Sequence, residues 1–432
     1  MEAAKLRTED VTFSDRISHL PDDLLFRMLS LVPISDAMHT NLLSKRWKSV
    51  WKMMPTLEYD QSCCANIGSL GFEEFCKRSV QLHEAPVLRT LTLKLNQQRS
   101  LKLPGSFPDT VFQKLVVLKL HTIIPHFPDS PPSTVCFQSL KSLHLTHVSF
   151  LGEKGFCRLI SACPVLDDLF LDSVTSRIQV WLRSSFTISV PSLQRLEIKQ
   201  NTSHDPIYPS YHSEFKIDTP SLKYIRIIHS IGSFIFYEDM PNLVEARLGV
   251  APYQTDKFLR FLTSVQFLSI CIYAKEVLLL AKKISQRLLH LELHIYGKSS
   301  LNLLLYLLKQ SPKLQFLKLH ETHKIFTMPT YPSRLIRSEE YNDPSPSVCN
   351  PSSIPEFVSF HLKAFQWLLY RGREEEKQIV LYILQNALCL KTAAISLSSV
   401  GLQRGEELLM IKELEYMPKV STSCKLVVQH RE

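Results

Sequence analysis

A unit of the form L-x-x-L-x-L recurs along most of this chain. It stands at Leu88-Leu91-Leu93, Leu115-Leu118-Leu120, Leu140-Leu143-Leu145, Leu166-Leu169-Leu171 and Leu193-Leu196-Ile198. It continues at Leu222-Ile225-Ile227, Leu243-Ala246-Leu248, Val265-Leu268-Ile270, Leu288-Leu291-Leu293 and Leu314-Leu317-Leu319. Successive first positions lie 21 to 29 residues apart, a period that suits a short strand alternating with a return segment. The fourth and sixth positions are two residues apart, so a strand turns both into one core, while the first closes the turn below. One such unit cannot bury its apolar face alone, whereas ten stacked units make a continuous core.

Prolines at 86, 164, 191, 220, 241 and 312 stand two residues before a first leucine. There they end a return helix and set extended backbone for the strand. Return helices are expected at Gly155 to Cys163 and Glu276 to Arg287, and the polar stretch Asn201 to Ser213 is expected to bulge out as a loop. The pattern resembles leucine-rich repeats. The asparagine those repeats carry three residues after the last leucine stands only at Asn96 and Asn201, so the expectation is an irregular, variably curved solenoid. The 67 leucines fit this use, and 11 glycines in 432 residues leave few for phosphate-cradling loops.

Between the two strand leucines stand Thr92, Lys119, His144, Phe170, Glu197, Arg226, Arg247, Ser269, Glu292 and Lys318. They are expected to face solvent on a concave sheet. Mixed charge with an aromatic anchor suits recognition of a protein surface, so His144, Phe170, Glu197, Arg226, Arg247, Glu292 and Lys318 are candidate substrate-binding residues.

Other classes find little support. A balance of 50 Lys+Arg against 41 Asp+Glu gives +9, and the densest basic cluster, Lys45, Arg46 and Lys48, is short, which argues against nucleic acid. Ten cysteines form no C-x-x-C pair, and Cys136, Cys271 and Cys389 stand in apolar stretches as small hydrophobes. The charged start and the shortness of runs such as Leu301 to Leu308 predict neither a signal peptide nor a membrane span. An intracellular protein, cytoplasmic or nuclear, is expected.

No G-x-x-x-x-G-K-[ST], G-x-G-x-x-G or G-x-S-x-G occurs, and His320-Glu-Thr-His323 has the wrong spacing for a zinc helix. His290 and His294 flank Glu292 at alternate strand positions and are expected to be solvated surface. No catalytic residue, cofactor or metal is assigned.

Residues 15 to 54 have a different texture. Pro21-Asp22-Asp23 opens a helix striped with Leu24, Leu25, Met28, Leu29 and Val32. Pro33 breaks it, and a second helix (Ser35 to Ser44) and a third near Lys45, carrying Trp47 and Trp51, follow. Three helices this short make a very small core, which a partner usually completes. The stretch Ile17-Ser-His-Leu-Pro-Asp-Asp-Leu-Leu25, with Leu43-Ser-Lys-Arg-Trp47, resembles an F-box. That resemblance implies binding to the Skp adaptor of cullin–RING ubiquitin ligases, with Leu20, Pro21, Leu24, Leu25, Ser44, Lys45 and Trp47 on the adaptor-binding motif. Leu29, Val32 and Trp51 are expected to hold the helices together.

After a polar, proline-rich stretch (His323 to Pro355) a strand-like unit returns at Leu362-Phe365-Trp367. A helix runs from Gly372-Arg-Glu-Glu-Glu-Lys377 to Leu390, its glutamates at the positive end. A strand (Thr392 to Leu397), a helix (Glu406 to Tyr416) and a strand (Cys424 to Val428) follow. The runs His361-Leu-Lys-Ala-Phe-Gln-Trp367, Ile383-Leu-Gln-Asn-Ala-Leu-Cys-Leu-Lys391 and Glu413-Leu-Glu-Tyr-Met-Pro resemble the FBD domain, which ends plant F-box/leucine-rich-repeat proteins.

The expected architecture is α/β: a flexible start (1–13), a three-helix F-box (14–60), an irregular leucine-rich-repeat solenoid (61–322), a linker (323–354) and an α/β FBD cap (355–432). The expected function is non-catalytic substrate recognition in an SCF-type (Skp–cullin–F-box) ligase. The alternative is a repeat scaffold acting outside any ligase.

Overall fold

The computed structural model describes residues 19–63, 71–85, 88–102, 112–126, 137–176, 184–200, 213–229, 233–250, 256–273, 286–296, 301–322, 361–398 and 404–429, with Ile17, Leu280 and Lys282. The expected flexible start, the loop at 201–212, the linker and most of the expected helix at Glu276 to Arg287 lie outside these residues. The chain forms two compact units, 1–140 and 141–432.

In the first unit α1 (Asp22–Leu29) and α2 (Ile34–His39) are each entered through a proline in extended conformation, Pro21 and Pro33. A proline at the cap costs no helical amide and sets the entry angle of the helix. A 3-10 turn (Thr40–Leu42), α3 (Trp47–Val50) and a second 3-10 turn (Trp51–Met53) complete the helical region. The second expected helix is therefore shorter than its sequence suggested. Strands β1 (Thr56–Asp60), β2 (Thr90–Lys102) and β3 (Val117–His126) then pair in parallel. Leu57, Leu91 and Leu118 share one rung, Tyr59, Leu93 and Leu120 another, and all six are buried. Helix α4 (Phe72–Gln81) covers them, the Tyr59 and Phe75 rings meeting edge to face at 6.1 Å.

The second unit is built on parallel strands in the order β4 (Ser142–Thr146), β6 (Asp168–Asp172), β9 (Arg195–Gln200), β11 (Tyr224–His229), β13 (Glu245–Val250), β14 (Phe267–Tyr273), β15 (His290–Tyr296), β16 (Phe316–Thr322), β17 (Ala364–Tyr370), β18 (Thr392–Leu397) and β19 (Lys425–Gln429). One face is the expected ladder of buried Leu, Ile and Ala; each large aliphatic there contributes about 1.5–3 kcal/mol by leaving water. The sheet runs through the C-terminal segment without interruption: Leu317 pairs with Phe365, and Phe365 with Ala393.

Return segments are less uniform than expected. Helices occur at α5 (Glu153–Ser161), α6 (Asp256–Leu259) and α7 (Leu301–Lys309), and a short parallel pair joins β5 (Ser149–Phe150) to β7 (Thr175–Ser176). Between α5 and α6 the chain returns through a further parallel sheet, β8 (Ser184–Ser189), β10 (Ser213–Asp218) and β12 (Ser233–Phe236). A chain of buried rings explains the change: Phe156, Phe186, Phe215 and Phe234 follow at centroid distances of 5.2, 5.5 and 5.8 Å. Buried and more exposed positions alternate along these strands, the pattern of a half-buried sheet. The chain leaves β4 and β6 through left-handed residues, His147 and Ser173, at φ 52 and 54°. His147 N–H then donates to Asp172 O and Ser173 N–H to Lys199 O, bonds that offset the cost of the conformation.

The C-terminal segment adds α8 (Glu374–Asn386) and α9 (Arg404–Glu415) behind β17, β18 and β19. Of the three glutamates at the start of α8, Glu374 and Glu375 are exposed and meet only the helix's positive end. Glu376 is buried and accepts the backbone N–H of Arg371 at 2.8 Å and of Arg373 at 3.2 Å, so it caps the helix start.

Candidate adaptor surface and recognition face

The helical region hides one set of apolar residues and displays another. Leu25, Leu29, Ile34, Ala37, Trp47, Val50, Trp51 and Met54 form its core. Arg46 clamps the region shut, donating to Asp22 Oδ1 at 2.5 Å and to Leu20 O at 2.6 Å. Of the residues on the adaptor motif, Pro21, Leu24 and Lys45 are exposed, and Leu20 and Ser44 half-buried. Leu25 and Trp47 are buried: they position the surface and do not form it. Leu29 and Trp51 hold the helices together as expected, but Val32 does not, being 42% exposed beside Pro33.

Sequence reading missed the strongest part of this surface. Leu31 is 84%, Leu42 88% and Leu43 66% exposed, and Met28, on the stripe of α1, is 42% exposed. The three leucines lie at helix ends rather than on a helical stripe, so periodicity could not single them out. Large apolar side chains left this open in a small unit mark an interaction surface.

On the open face of the second unit, eight of the middle residues fall into one register row: His144, Phe170, Glu197, Arg226, Arg247, Ser269, Glu292 and Lys318. In the first unit Thr92 pairs with Lys119. The expectation that all face solvent fails for Thr92 and Glu197, 8% and 7% exposed. Neighbouring side chains close over Glu197: it accepts a short hydrogen bond from Arg195 and has Arg226 at 3.8 Å and Lys199 at 4.0 Å.

A second row, two residues earlier on each strand and so on the same face, was not anticipated. Asp168, Arg195, Tyr224, Glu245, Phe267, His290 and Phe316 are consecutive partners. Arg195 lies over the Tyr224 ring at 3.8 Å and Arg247 over Phe267 at 4.2 Å. His290 is sandwiched between Phe267 and Phe316, at 4.1 and 4.0 Å.

The histidines are therefore not solvated surface. His290 is half-buried in its stack, and His294 lies with Nδ1 2.8 Å from Nδ1 of His320. Burial pushes the His294 pKa down. Burial also pushes the Cys271 thiol up to about 12. No group of three potential metal ligands occurs among the described residues. Cys76 and Cys163 are buried like Cys271, whereas Cys389, expected in an apolar setting, is exposed.

Charges on this face neutralise one another. The Glu292 carboxyl is held down to about 2, foremost by the His290 hydrogen bond (3.3 Å), against the opposing effect of burial and with help from Lys318 at 3.7 Å. Burial pushes the Asp168 carboxyl up, but hydrogen bonds from His144 and Ser142 and the Arg195 charge outweigh it and leave it lowered. The arrangement can bind a surface; it presents no nucleophile paired with a base. No described helix is long and apolar enough to cross a membrane.

The chain matches the F-box domain over residues 17–59, a leucine-rich repeat over 139–164 and the FBD domain over 350–395. A putative F-box/FBD/LRR-repeat protein of Arabidopsis thaliana is 49% identical, the match covering 99% of this chain and all of that one. Two further F-box/FBD/LRR-repeat proteins of the same plant are 36% and 33% identical, each match covering 96% of this chain and 99% of the relative. The chain belongs to the F-box/FBD/LRR-repeat family.

Proposed function

We propose that this protein is a substrate-recognition subunit of an SCF-type ubiquitin ligase. The helical region docks on a Skp-type adaptor, and through it on a cullin–RING ligase, while the open face of the repeats holds the protein to be ubiquitylated. The chain makes no bond itself; it raises the effective concentration of a target lysine near charged ubiquitin. The observation that carries this reading is the apolar surface of Leu24, Met28, Leu31, Leu42 and Leu43, exposed above a complete core.

The test is co-purification with a Skp-type adaptor, comparing wild type with Leu31→Ser/Leu42→Ser/Leu43→Ser. These side chains are exposed, so the variant is expected to keep its thermal midpoint and lose the adaptor. A wild-type chain that brings down no adaptor, or a variant that binds as well, sinks the assignment and leaves the ligase-independent scaffold.

A further inference from the structure

Over β6 to β16 the charges of the open face are matched within it, as the partners of Glu197, Asp168 and Glu292 show. The last four strands differ. Their lead-in segments carry Lys309, Lys313, Lys363, Lys391, Lys419 and Lys425, all exposed. No Asp or Glu occurs in residues 309–316, 361–363, 387–392 or 416–425. Of the acids just before the last of these segments, Glu413 is taken by Lys377 at 2.7 Å, which leaves Glu415 at the end of α9. Lys363 Nζ donates to the neutral Gln315 side chain at 2.9 Å and forms no ion pair among the described residues.

Three of these lysines stand on adjacent strands. Lys363 and Lys391 each lie one residue before the register partners Ala364 and Thr392, and Lys425 is the register partner of Thr392. The backbone bonds Lys391 N–H to Lys363 O and Lys425 N–H to Lys391 O, at 2.8 and 2.9 Å, hold them side by side. Strands in a sheet lie about 4.8 Å apart, so the lysines form a closely spaced basic rim along the edge where these parallel strands begin.

The ring row ends beside this rim. His290 stacks on one face of Phe316 at 4.0 Å, but the next register partner is Ala364 and the one after is Thr392. A methyl group cannot carry the stack on. A ring stacked on the other face of Phe316 would sit over Ala364, since one strand step of about 4.8 Å matches the ring spacing of this row.

We propose that the stretch from Phe316 across Ala364 and Thr392 to Lys425 docks an acidic segment of a partner protein that carries an aromatic side chain. The ring stacks on Phe316 above Ala364, and flanking carboxylates meet Lys363, Lys391 and Lys425. The FBD segment thereby supplies the charged half of a recognition site whose aromatic half belongs to the last repeat. Only the fate of the captured protein rests on the ligase reading given above.

The full-length chain is titrated into a dye-labelled synthetic peptide of Glu and Asp with one central Trp, and binding is read by fluorescence anisotropy. Lys363→Glu/Lys391→Glu/Lys425→Glu is expected to weaken binding about tenfold or more, with a steep salt dependence. The equally charged Lys141→Glu/Lys154→Glu/Lys257→Glu variant should lose less than about twofold. Phe316→Ala should lower affinity for the Trp peptide to that of its Trp→Ala counterpart, and should leave the counterpart's own affinity unchanged. Equal loss in both triple variants overturns the proposal. So does a single-stranded DNA oligonucleotide of the same length binding as tightly as the peptide, since the rim would then be a general polyanion surface. Adaptor co-purification on the same samples separates the two readings. Peptide binding without adaptor refutes the ligase assignment alone, and adaptor without peptide binding refutes this docking site alone.

Discussion

Replacing Glu292 by Gln tests whether the charge network of the open face stabilises the repeats beneath it. The carboxylate accepts from His290 Nε2 at 3.3 Å and lies 3.7 Å from Lys318 Nζ, and its pKa falls from 4.5 to about 2. The gap between those values corresponds to about 3 kcal/mol, an upper bound; water at the open side reduces the expected contribution to roughly 1–2 kcal/mol. The folded pKa lies below the unfolded one, so the stabilisation is complete above about pH 4.5 and is lost as pH falls toward about 2. Gln keeps the shape and one acceptor but not the charge. Repeat arrays open locally, so the suitable assay is hydrogen exchange read by mass spectrometry over residues 286–296 and 314–322, with both proteins at the same pH. At pH 7 the variant is expected to exchange about tenfold faster there, with residues 142–172 unaffected. The difference should narrow below pH 4.5 and be about halved near pH 3. Equal protection at pH 7, or a difference that widens on acidification, would falsify the reasoning.

Two further predictions concern packing. Gly372 stands at φ +69°, and a Cβ there would collide with Met410 Sδ, so Gly372→Ala is expected to cost about 1–3 kcal/mol. Denaturant titration checks this, and adding Met410→Ala should not restore wild-type stability, because the backbone strain remains. Phe215→Ala removes the middle of the ring chain, stacked on Phe186 at 5.5 Å and Phe234 at 5.8 Å. It should cost about 3–5 kcal/mol and release exchange protection across β8, β10 and β12 together; a loss confined to β10 would show that the three strands are not one cooperative element.

Much of the fold was legible in the sequence because its signals are local. A two-residue alternation with a fixed return length dictates which side chains enter the core, and Leu169, Leu196, Ile225, Ala246 and Leu268 fall on one buried rung as the pattern requires. Strand β18 begins and ends where its apolar run does, at Thr392 and Leu397. The open-face row from His144 to Lys318 was legible for the same reason: parallel pairing without slippage keeps equivalent positions in line.

What the sequence left open depends on neighbours distant along the chain. Whether Glu197 faces water was settled by Arg195 and Arg226, on its own strand and the next. Whether His290 is solvated was settled by Phe267 and Phe316, each more than 20 residues away. In the helical region the motif residues Leu25 and Trp47 went inside, while Leu31, Leu42 and Leu43 stayed out, because three short helices enclose only so much volume. The repeat, its strands and the rows their side chains form follow from the order of residues along the chain. Which members of those rows are buried, stacked or ion-paired depends on contacts between strands, which no one strand's pattern contains.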